Sequence, residues 1–181
     1  MRVLFDTSVL LLAINPDAPA PPVEEAVRNA GTAAERMAHL IEQLEAGRAT
    51  VLVPAPVLTE LMIKADGAVA EALEVVMTSR YLQVAPFDQV AAIECGLMMR
   101  DAIPNRRNRS KAKVKFDCQI AAIAKVQRVS VVYTDDGGIR ELCRQNGLSI
   151  KGVWDLAAPP RDPQHPLPFI ADPQELADSN A

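Results

Sequence analysis

The segment RVLFDTSVLLLAI at residues 2–14 opens the chain with an apolar strand, a single acidic residue and an apolar helix. Arg2 to Phe5 predicts the strand, and Ser8 to Ile14 predicts a short buried helix with Thr7 or Ser8 as its N-cap. The same alternation of strand and helix continues to about residue 150. Because parallel strands need crossover connections, this order predicts a parallel sheet with helices on both faces. We therefore expect a three-layer α/β/α sandwich with a central parallel sheet of four to five strands.

The other elements follow from apolar spacing and from the positions of proline and glycine. The predicted strands cover residues 50–53, 82–85, 130–133 and 148–150, and the predicted helices cover residues 32–46, 56–65, 68–78, 89–100, 115–127 and 138–146. Residues 15–22 are rich in proline and residues 101–110 lack apolar periodicity, so we expect loops in both places. We expect one domain over residues 1–156, followed by a proline-rich tail over residues 157–181.

The composition excludes several classes of protein. The chain has 181 residues, and its apolar content of 49% is ordinary for a single globular domain. Its three cysteines are an odd number and form no CxxC pair, so we expect neither a disulfide framework nor a zinc site. No run of about 18 uncharged apolar residues is present, and we expect no membrane span. We interpret the chain as a cytoplasmic protein of a reducing compartment.

Acidic residues directly follow two of the predicted strands. Asp6 comes after the run VLF, and Asp135 and Asp136 come after VSVVYT. Ligands of parallel sheets bind at the carboxyl ends of the strands, so these acids are candidates for a functional site. An Asp at this position can also cap the helix that follows it. For two strands that each run straight into acid, capping alone is the weaker explanation.

Two further acids lie in predicted helices. Glu60, within PVLTELMIK, is placed about one turn after the second strand, close to the same edge of the sheet. Asp117, within KFDCQIAAIA, is placed in the first turn of its helix. Glu60 alone fits an ordinary exposed helical residue, and Asp117 alone fits a favourable charge at a helix N-terminus. Together with the acids at the strand ends, they predict one acidic cluster.

Such a cluster predicts a metal site. Carboxylates gathered within a few ångströms raise one another's pKa or destabilise the fold unless a cation joins them. Ligand sets made only of oxygen select hard cations such as Mg²⁺ or Mn²⁺. These ions promote phosphodiester chemistry because they activate water and stabilise charge on the phosphate.

A basic strip adds a candidate surface for nucleic acid. The formal net charge is −4, but residues 100–115 contain seven basic residues and one acid. A local concentration of this kind can hold a phosphate backbone on an acidic protein. The candidates for RNA binding are Arg106, Arg107, Arg109, Lys111, Lys113 and Lys115. A solvated loop and a surface for a protein partner are the alternatives.

Four short segments, FDTSVL, VLTEL, KFDCQIAAIA and VVYTDDGGI, resemble in order and spacing the motifs of PIN-domain ribonucleases. The resemblance covers roughly residues 1–150. It implies that Asp6, Glu60, Asp117 and Asp136 hold Mg²⁺ or Mn²⁺ and carry the catalysis. It also implies that Asp135 is a further candidate metal residue, which would substitute for or assist Asp136, and that Thr7, Ser8 and Thr134 support the acids. Strand alternation favours Asp136 over Asp135, because Asp136 shares a face with Thr134.

The family also implies partners. Many small bacterial members are toxins that cleave RNA and are held inactive by an antitoxin protein. By this resemblance the chain is a metal-dependent endoribonuclease whose substrate is RNA and whose protein partner is an antitoxin. An apolar patch on the early helices further suggests a homodimer.

Two other classes of protein fit the motifs less well. A fold that forms an aspartyl phosphate would also place Asp6 at the end of its first strand, but its hydrolase form needs a second Asp at position 8, which is Ser. Neither of the glycine-rich phosphate-binding loops of nucleotide-binding proteins occurs. Two alternatives stay open: a PIN-like module that binds nucleic acid or protein without catalysis, and a nuclease that acts on DNA.

Overall fold

The computed structural model describes residues 1–64 and 69–160. Within them, five parallel strands form one sheet in the order β3-β2-β1-β4-β5. The strands are β1 Arg2–Phe5, β2 Thr50–Pro54, β3 Leu82–Ala85, β4 Val131–Tyr133 and β5 Ile150–Lys151. Leu4 of β1 pairs with Leu52 of β2 on one side and with Val132 of β4 on the other. The predicted parallel sheet is confirmed.

Helices cover the sheet on both faces. They are α1 Thr7–Ile14, α2 Glu25–Asn29, α3 Ala33–Ala46, α4 Ala55–Lys64, α5 Val69–Thr78, α6 Gln89–Ala102, α7 Lys111–Val126 and α8 Gly137–Gln145. The chain moves outward from β1 to β3 and then returns across the sheet to β4 and β5. Right-handed crossovers therefore place α1–α5 on one face and α6–α8 on the other. Most helix–helix packing lies within these two groups, and α4 also contacts α7. The three-layer architecture is confirmed.

The core is built mainly from aliphatic side chains. Val3, Leu4 and Phe5 of the central strand are at most 1% exposed, as expected for a strand covered on both faces. Helix α7 is the most deeply buried of the described helices, with Ile120 and Ile123 among its fully buried residues. This central position of α7 matters for the site, because Asp117 lies on the same helix.

Two predicted helix ends were wrong. The N-cap of α1 is Asp6 rather than Thr7 or Ser8. Helix α7 begins at Lys111, four residues earlier than predicted, because the Ser110 hydroxyl caps it by accepting a hydrogen bond from the Lys113 amide at 3.1 Å. Asp117 therefore lies in the second turn of α7, and the interaction with the helix N-terminus that was offered as its alternative explanation is weaker there.

The connection between α1 and α3 is tied to the end of the domain. Residues 15–24 form no regular element, but a short helix, α2, follows them and was not predicted. The buried Arg36 side chain donates hydrogen bonds to the carbonyls of Val27, Gly31 and Leu156. The Trp154 indole donates to the carbonyl of Pro21 at 2.9 Å. Most of the tail predicted for residues 157–181 lies outside the described residues.

None of the described helices has the length and apolar character needed to cross a membrane. The three cysteines, Cys95, Cys118 and Cys143, are buried free thiols.

Candidate functional site

Asp6 and Asp136 meet where the order of the sheet reverses. Strands β1 and β4 are neighbours, and the Asp6 amide continues their pairing by donating to the Tyr133 carbonyl at 3.1 Å. The crossovers leave these two strands towards opposite faces, which opens a crevice at their carboxyl ends. Thr134 links the two acids, because its hydroxyl donates to Asp6 Oδ2 and accepts from the Asp136 amide.

Both acids cap the helices that follow them, and each uses only one oxygen to do so. Asp6 Oδ1 accepts from the Val9 amide at 2.9 Å and from the Ser8 hydroxyl at 2.8 Å. Asp136 Oδ1 accepts from the Gly138 and Ile139 amides at 2.8 and 3.0 Å. The capping explanation is therefore correct but incomplete, because the Oδ2 atoms face the site.

Glu60 reaches the same edge from α4. Its Oε2 accepts a hydrogen bond of 2.6 Å from the Thr7 hydroxyl, and Thr7 directly follows Asp6 in the chain. Its Oε1 lies 2.8 Å from the ammonium of Lys64, one turn later on α4. The Glu60 side chain is 31% exposed and bound to α1. It is thus not the freely solvated helical residue that the sequence also allowed.

Asp117 enters from the opposite layer and is completely buried. The Lys113 ammonium lies 2.8 Å from its Oδ1, and Arg109 Nη1 lies 3.4 Å from its Oδ2. Oδ1 nevertheless accepts no hydrogen bond from any described residue, because the ammonium approaches it outside hydrogen-bond geometry. Gly138 makes room for the carboxylate, since a β-carbon at that position would overlap Asp117.

Lys113 joins the two halves of the site. Its ammonium is 2.8 Å from Asp117 Oδ1 and also 2.8 Å from Asp136 Oδ2. The four acids predicted from the sequence therefore form a connected group at one edge of the sheet, linked through Thr7, Thr134 and Lys113.

Buried polar side chains are concentrated here. Among the described residues, the buried polar or charged ones are Asp6, Thr7, Asp117, Thr134 and Arg36. All of these except Arg36 belong to the acidic group. Burying polar groups costs free energy unless they are well paired, and the pairing at this edge is supplied by Thr7, Thr134, Lys113 and Arg109.

The electrostatics divide the acids into two pairs. Burial raises the pKa of Asp6 to about 6, although hydrogen bonds from Thr134, Val9 and Ser8 oppose it. Burial likewise raises the pKa of Asp117 despite Lys113. At Asp136 and Glu60 burial acts in the same direction, but interactions with Lys113 and Lys64 respectively outweigh it and hold the pKa below its usual value.

The expectation that only a bound ion could offset the repulsion between the acids was too strong. Lys113, Arg109 and Lys64 supply positive charge from the chain itself. Two of these contacts were visible in the sequence, because Lys113 lies four residues before Asp117 and Lys64 four residues after Glu60, the spacing at which helical side chains meet. Sequence reasoning placed Lys113 and Arg109 only in the basic strip and did not consider Lys64.

Asp135 is turned away from this group. Its carboxylate accepts from the Val153 amide at 3.1 Å, at the start of the 3-10 helix that follows β5. Burial raises its pKa. The geometry thus gives Asp135 a structural contact and places Asp136, rather than Asp135, with the other acids.

The rest of the basic strip lies beside the site. Lys111, Lys115 and Arg107 are exposed, and Arg106 is partly exposed, with its guanidinium donating to the Ile103 carbonyl at 3.3 Å. Lys111 and Lys115 belong to α7 rather than to the loop. The predicted strip is therefore half loop and half helix.

Comparison with known families gives a match to the PIN domain over residues 3–145. The chain belongs to the PIN domain family. No curated protein sequence matches it at a significant level.

Solved structures share the fold of this PIN domain at low sequence identity. VapBC2 from Rickettsia felis, bound to a DNA fragment from its promoter, gives a TM-score of 0.59 at 16% identity, covering 84% of this chain and 98% of the other. FitAcB from Neisseria gonorrhoeae gives a TM-score of 0.56 at 20% identity, covering 85% of this chain and 99% of the other. VapC20 from Mycobacterium tuberculosis, a toxin that cleaves the sarcin–ricin loop, gives a TM-score of 0.52 at 14% identity, covering 77% of this chain and 93% of the other.

The donor set of this PIN domain fits a hard divalent cation. All of its candidate ligand atoms are carboxylate oxygens, and Asp117 Oδ1 is buried without a hydrogen bond. The acids are not arranged as a finished site, because no three His, Cys, Asp or Glu side chains among residues 1–64 and 69–160 converge closely enough to hold an ion. Lys113 occupies the space between two of them.

Proposed function

We propose that the protein is an Mg²⁺- or Mn²⁺-dependent endoribonuclease that hydrolyses RNA phosphodiester bonds. The observation that carries this proposal is the group of four acids, Asp6, Glu60, Asp117 and Asp136, brought to one sheet edge from distant segments. Two of them, Asp6 and Asp117, are almost completely buried. A stable fold does not need carboxylates in such positions, whereas phosphodiester hydrolysis by a metal enzyme does.

Each acid has a role that follows from its contacts. Asp6 and Asp117 would hold the ion directly. Asp117 offers Oδ1, which accepts no hydrogen bond from a described residue, and Asp6 offers Oδ2, which also accepts from Thr134. Glu60 and Asp136 would hold the ion directly or through water. Thr134, Ser8 and Thr7 fix the carboxylates by hydrogen bonds. When bound, the ion makes water a stronger nucleophile at neutral pH and stabilises charge on the phosphate.

The basic strip supports RNA as the substrate. Arg109 and Lys113 lie at the acids and would contact the phosphate that is cleaved. Arg106, Arg107, Lys111 and Lys115 lie further out and would hold the neighbouring backbone. Such contacts recognise phosphate rather than bases, so the binding would have little base selectivity and would weaken as the salt concentration rises.

We propose further that the enzyme is the toxin of a toxin–antitoxin pair. Support comes from the fold shared with VapBC2 and FitAcB and with the toxin VapC20. The antitoxin would be a separate protein that covers the acidic crevice. A homodimer stays a prediction, and the exposed apolar side chains Met62, Ile63 and Met77 of α4 and α5 are compatible with it.

The test is cleavage of tRNA and mixed RNAs with and without Mg²⁺, with single- and double-stranded DNA as parallel substrates. Asp117→Asn should lower the rate of RNA cleavage by at least about 100-fold, because it removes a buried charged ligand. Asp101→Asn is the matched control: it makes the same chemical change at an exposed acid and should cleave at the wild-type rate.

Cleavage by Asp117→Asn at the wild-type rate, or cleavage by the wild type in excess EDTA, would refute the metal-dependent mechanism. Cleavage of DNA in preference to RNA would mean that the substrate is DNA. Mn²⁺ binding without cleavage of any nucleic acid would favour a binding module.

A further inference from the structure

We propose that Lys113 is a resident cation of the acidic site, which a divalent ion must displace before it can bind Asp117 and Asp136. This inference rests on the metal site of the proposed function. It goes beyond that function because it assigns a lysine of the enzyme to control of metal occupancy.

The first step is geometric. The Lys113 ammonium lies 2.8 Å from both Asp117 Oδ1 and Asp136 Oδ2. A divalent cation such as Mg²⁺ would need the same two oxygens, at distances of about 2.0–2.1 Å. The ammonium and a metal ion therefore cannot share the position.

The second step concerns charge. The two carboxylates are already balanced by two positive charges, the Lys113 ammonium and the Arg109 guanidinium, which lies 3.4 Å from Asp117 Oδ2. A divalent ion added to this set would lie beside a positive charge at close range, and like charges in a partly buried site repel. Departure of the ammonium removes that repulsion and frees both oxygens.

The third step is that Lys113 is able to leave. Its side chain is 43% exposed, and no described residue other than the two aspartates forms an ion pair with its ammonium. The backbone does not have to move, because the Ser110 cap fixes the first turn of α7. The flexible four-carbon stem can thus swing into solvent, whereas the Asp117 side chain is completely buried.

The fourth step is that Asp117 Oδ1 remains available to an ion once the ammonium leaves. Oδ1 is buried, and among the described residues the Lys113 ammonium is its one ion-pair partner. A divalent ion that coordinates this oxygen directly would therefore take the place of the ammonium as its partner. Lys113 therefore weakens metal binding without preventing it.

The experiment is calorimetric titration of the metal-free full chain with Mn²⁺, paired with thermal melting in EDTA. Lys113→Gln should bind Mn²⁺ roughly five- to tenfold more tightly than the wild type, because the competing charge is gone. Its metal-free melting temperature should be lower, because the two acids lose their shared counter-charge. Lys113→Arg, which keeps the charge, should bind Mn²⁺ with wild-type affinity.

Lys115→Gln is the matched control, because it removes the same charge from an exposed position two residues along the same helix. It should change the Mn²⁺ dissociation constant by less than about twofold. A Lys113→Gln protein that binds Mn²⁺ no more tightly than the wild type would overturn the inference and leave the metal site intact. Equal tightening by Lys113→Gln and Lys113→Arg would also overturn it. Absence of Mn²⁺ binding by the wild type would overturn the proposed function itself.

Discussion

At Asp6, burial and hydrogen bonding act in opposite directions on the charge of the carboxylate. Its side chain caps α1 and anchors Thr134, yet the residue is only 3% exposed. Three hydrogen bonds favour its charged form, but burial outweighs them and raises its pKa to about 6. The metal-free protein therefore bears a cost for this charge near neutral pH.

That cost predicts a pH-dependent effect of Asp6→Asn. In the unfolded chain Asp6 loses its proton near pH 4, whereas in the folded protein it keeps the proton up to about pH 6. The contribution of the protonated Asp6 side chain to the free energy of unfolding is fully present below about pH 4. It is lost as the pH rises through 6. Asp6→Asn should thus raise the free energy of unfolding by about 1–3 kcal/mol at pH 8, and by about half as much at pH 5. Urea denaturation in EDTA at both pH values measures this.

Asp88 provides the control. It caps α6 in the same way, by accepting from the Ala91 amide at 2.9 Å, but it is exposed. Because Asn is as good an N-cap as Asp, Asp88→Asn should change the free energy of unfolding little. An Asp6→Asn protein that is less stable than the wild type at pH 8 would contradict the prediction.

The location of a single residue was predictable from the sequence when its place relative to a strand fixed where it lies in the fold. Asp6 and Asp136 follow strands, and the ends of parallel strands share one edge, so their meeting followed from topology. Arg109 was not predictable as a neighbour of Asp117. It lies in the loop before α7, and the sequence of that loop has no apolar periodicity that would predict its conformation. Lys113 was predictable in principle from its spacing, but only once the start of α7 was correctly placed.

At the scale of elements, the site depends on how closely α8 approaches α7. Gly138, in the first turn of α8, faces the Asp117 carboxylate, and a β-carbon there would overlap both Asp117 and the Arg109 guanidinium. The Gly138 amide also donates to Asp136. Gly138 therefore leaves room between the two helices for the Asp117 carboxylate and the Arg109 guanidinium.

Gly138→Ala should destabilise the protein by about 1–3 kcal/mol and weaken Mn²⁺ binding, because Asp117 must shift to admit the methyl group. Gly137→Ala is the matched control, since a β-carbon at the preceding residue meets nothing within 4 Å. That control should be neutral or slightly stabilising, as Ala favours helix over Gly. Chemical denaturation and Mn²⁺ titration measure the stability and the Mn²⁺ affinity of both variants. Equal values for Gly138→Ala and Gly137→Ala would show that the close contact between Gly138 and Asp117 is unimportant.

The start of α7 shows why element boundaries were harder to predict than elements. The basic residues before Asp117 suggested a solvated loop, but Lys and Ala are good helix formers. Val114, which lies among them, is completely buried. A single buried residue in a charged segment gives too little periodicity to reveal the first turn, so the Ser110 cap was overlooked.

At the scale of the whole molecule, Arg36 ties the connection after α1 to the end of the domain. Its guanidinium donates to carbonyls of α2, of Gly31 and of Leu156, and lies 5.9 Å from the centre of the Trp154 ring. Arg36→Met should lower the free energy of unfolding by about 2–4 kcal/mol, because three carbonyls lose their donor. Urea denaturation measures this change.

Arg28, exposed on α2, is the control for that prediction. Arg28→Met removes the same charge with the same replacement and should alter stability by less than about 0.5 kcal/mol. Similar losses for both variants would mean that overall charge, rather than the buried contacts of Arg36, determines stability.

The architecture as a whole was the most predictable level. Short apolar strands that alternate with helices allow few sheet topologies, because crossovers are right-handed. The acids that directly follow the strands then indicated which edge of the sheet carries the candidate site. Helix α2 was not predictable, because five residues are too few to show a period. Its position depends on contacts with Arg36, which are distant in sequence.

The reversal of strand order at β1 and β4 has a consequence for how the protein is made. Glu60 comes from the layer on one face and Asp117 from the layer on the other, and the strand ends lie between them. A nascent chain thus lacks the full set of acids until residue 136 has left the ribosome and both layers have closed around the sheet. Under the proposed function, the acidic site would therefore assemble only late in the synthesis of the chain.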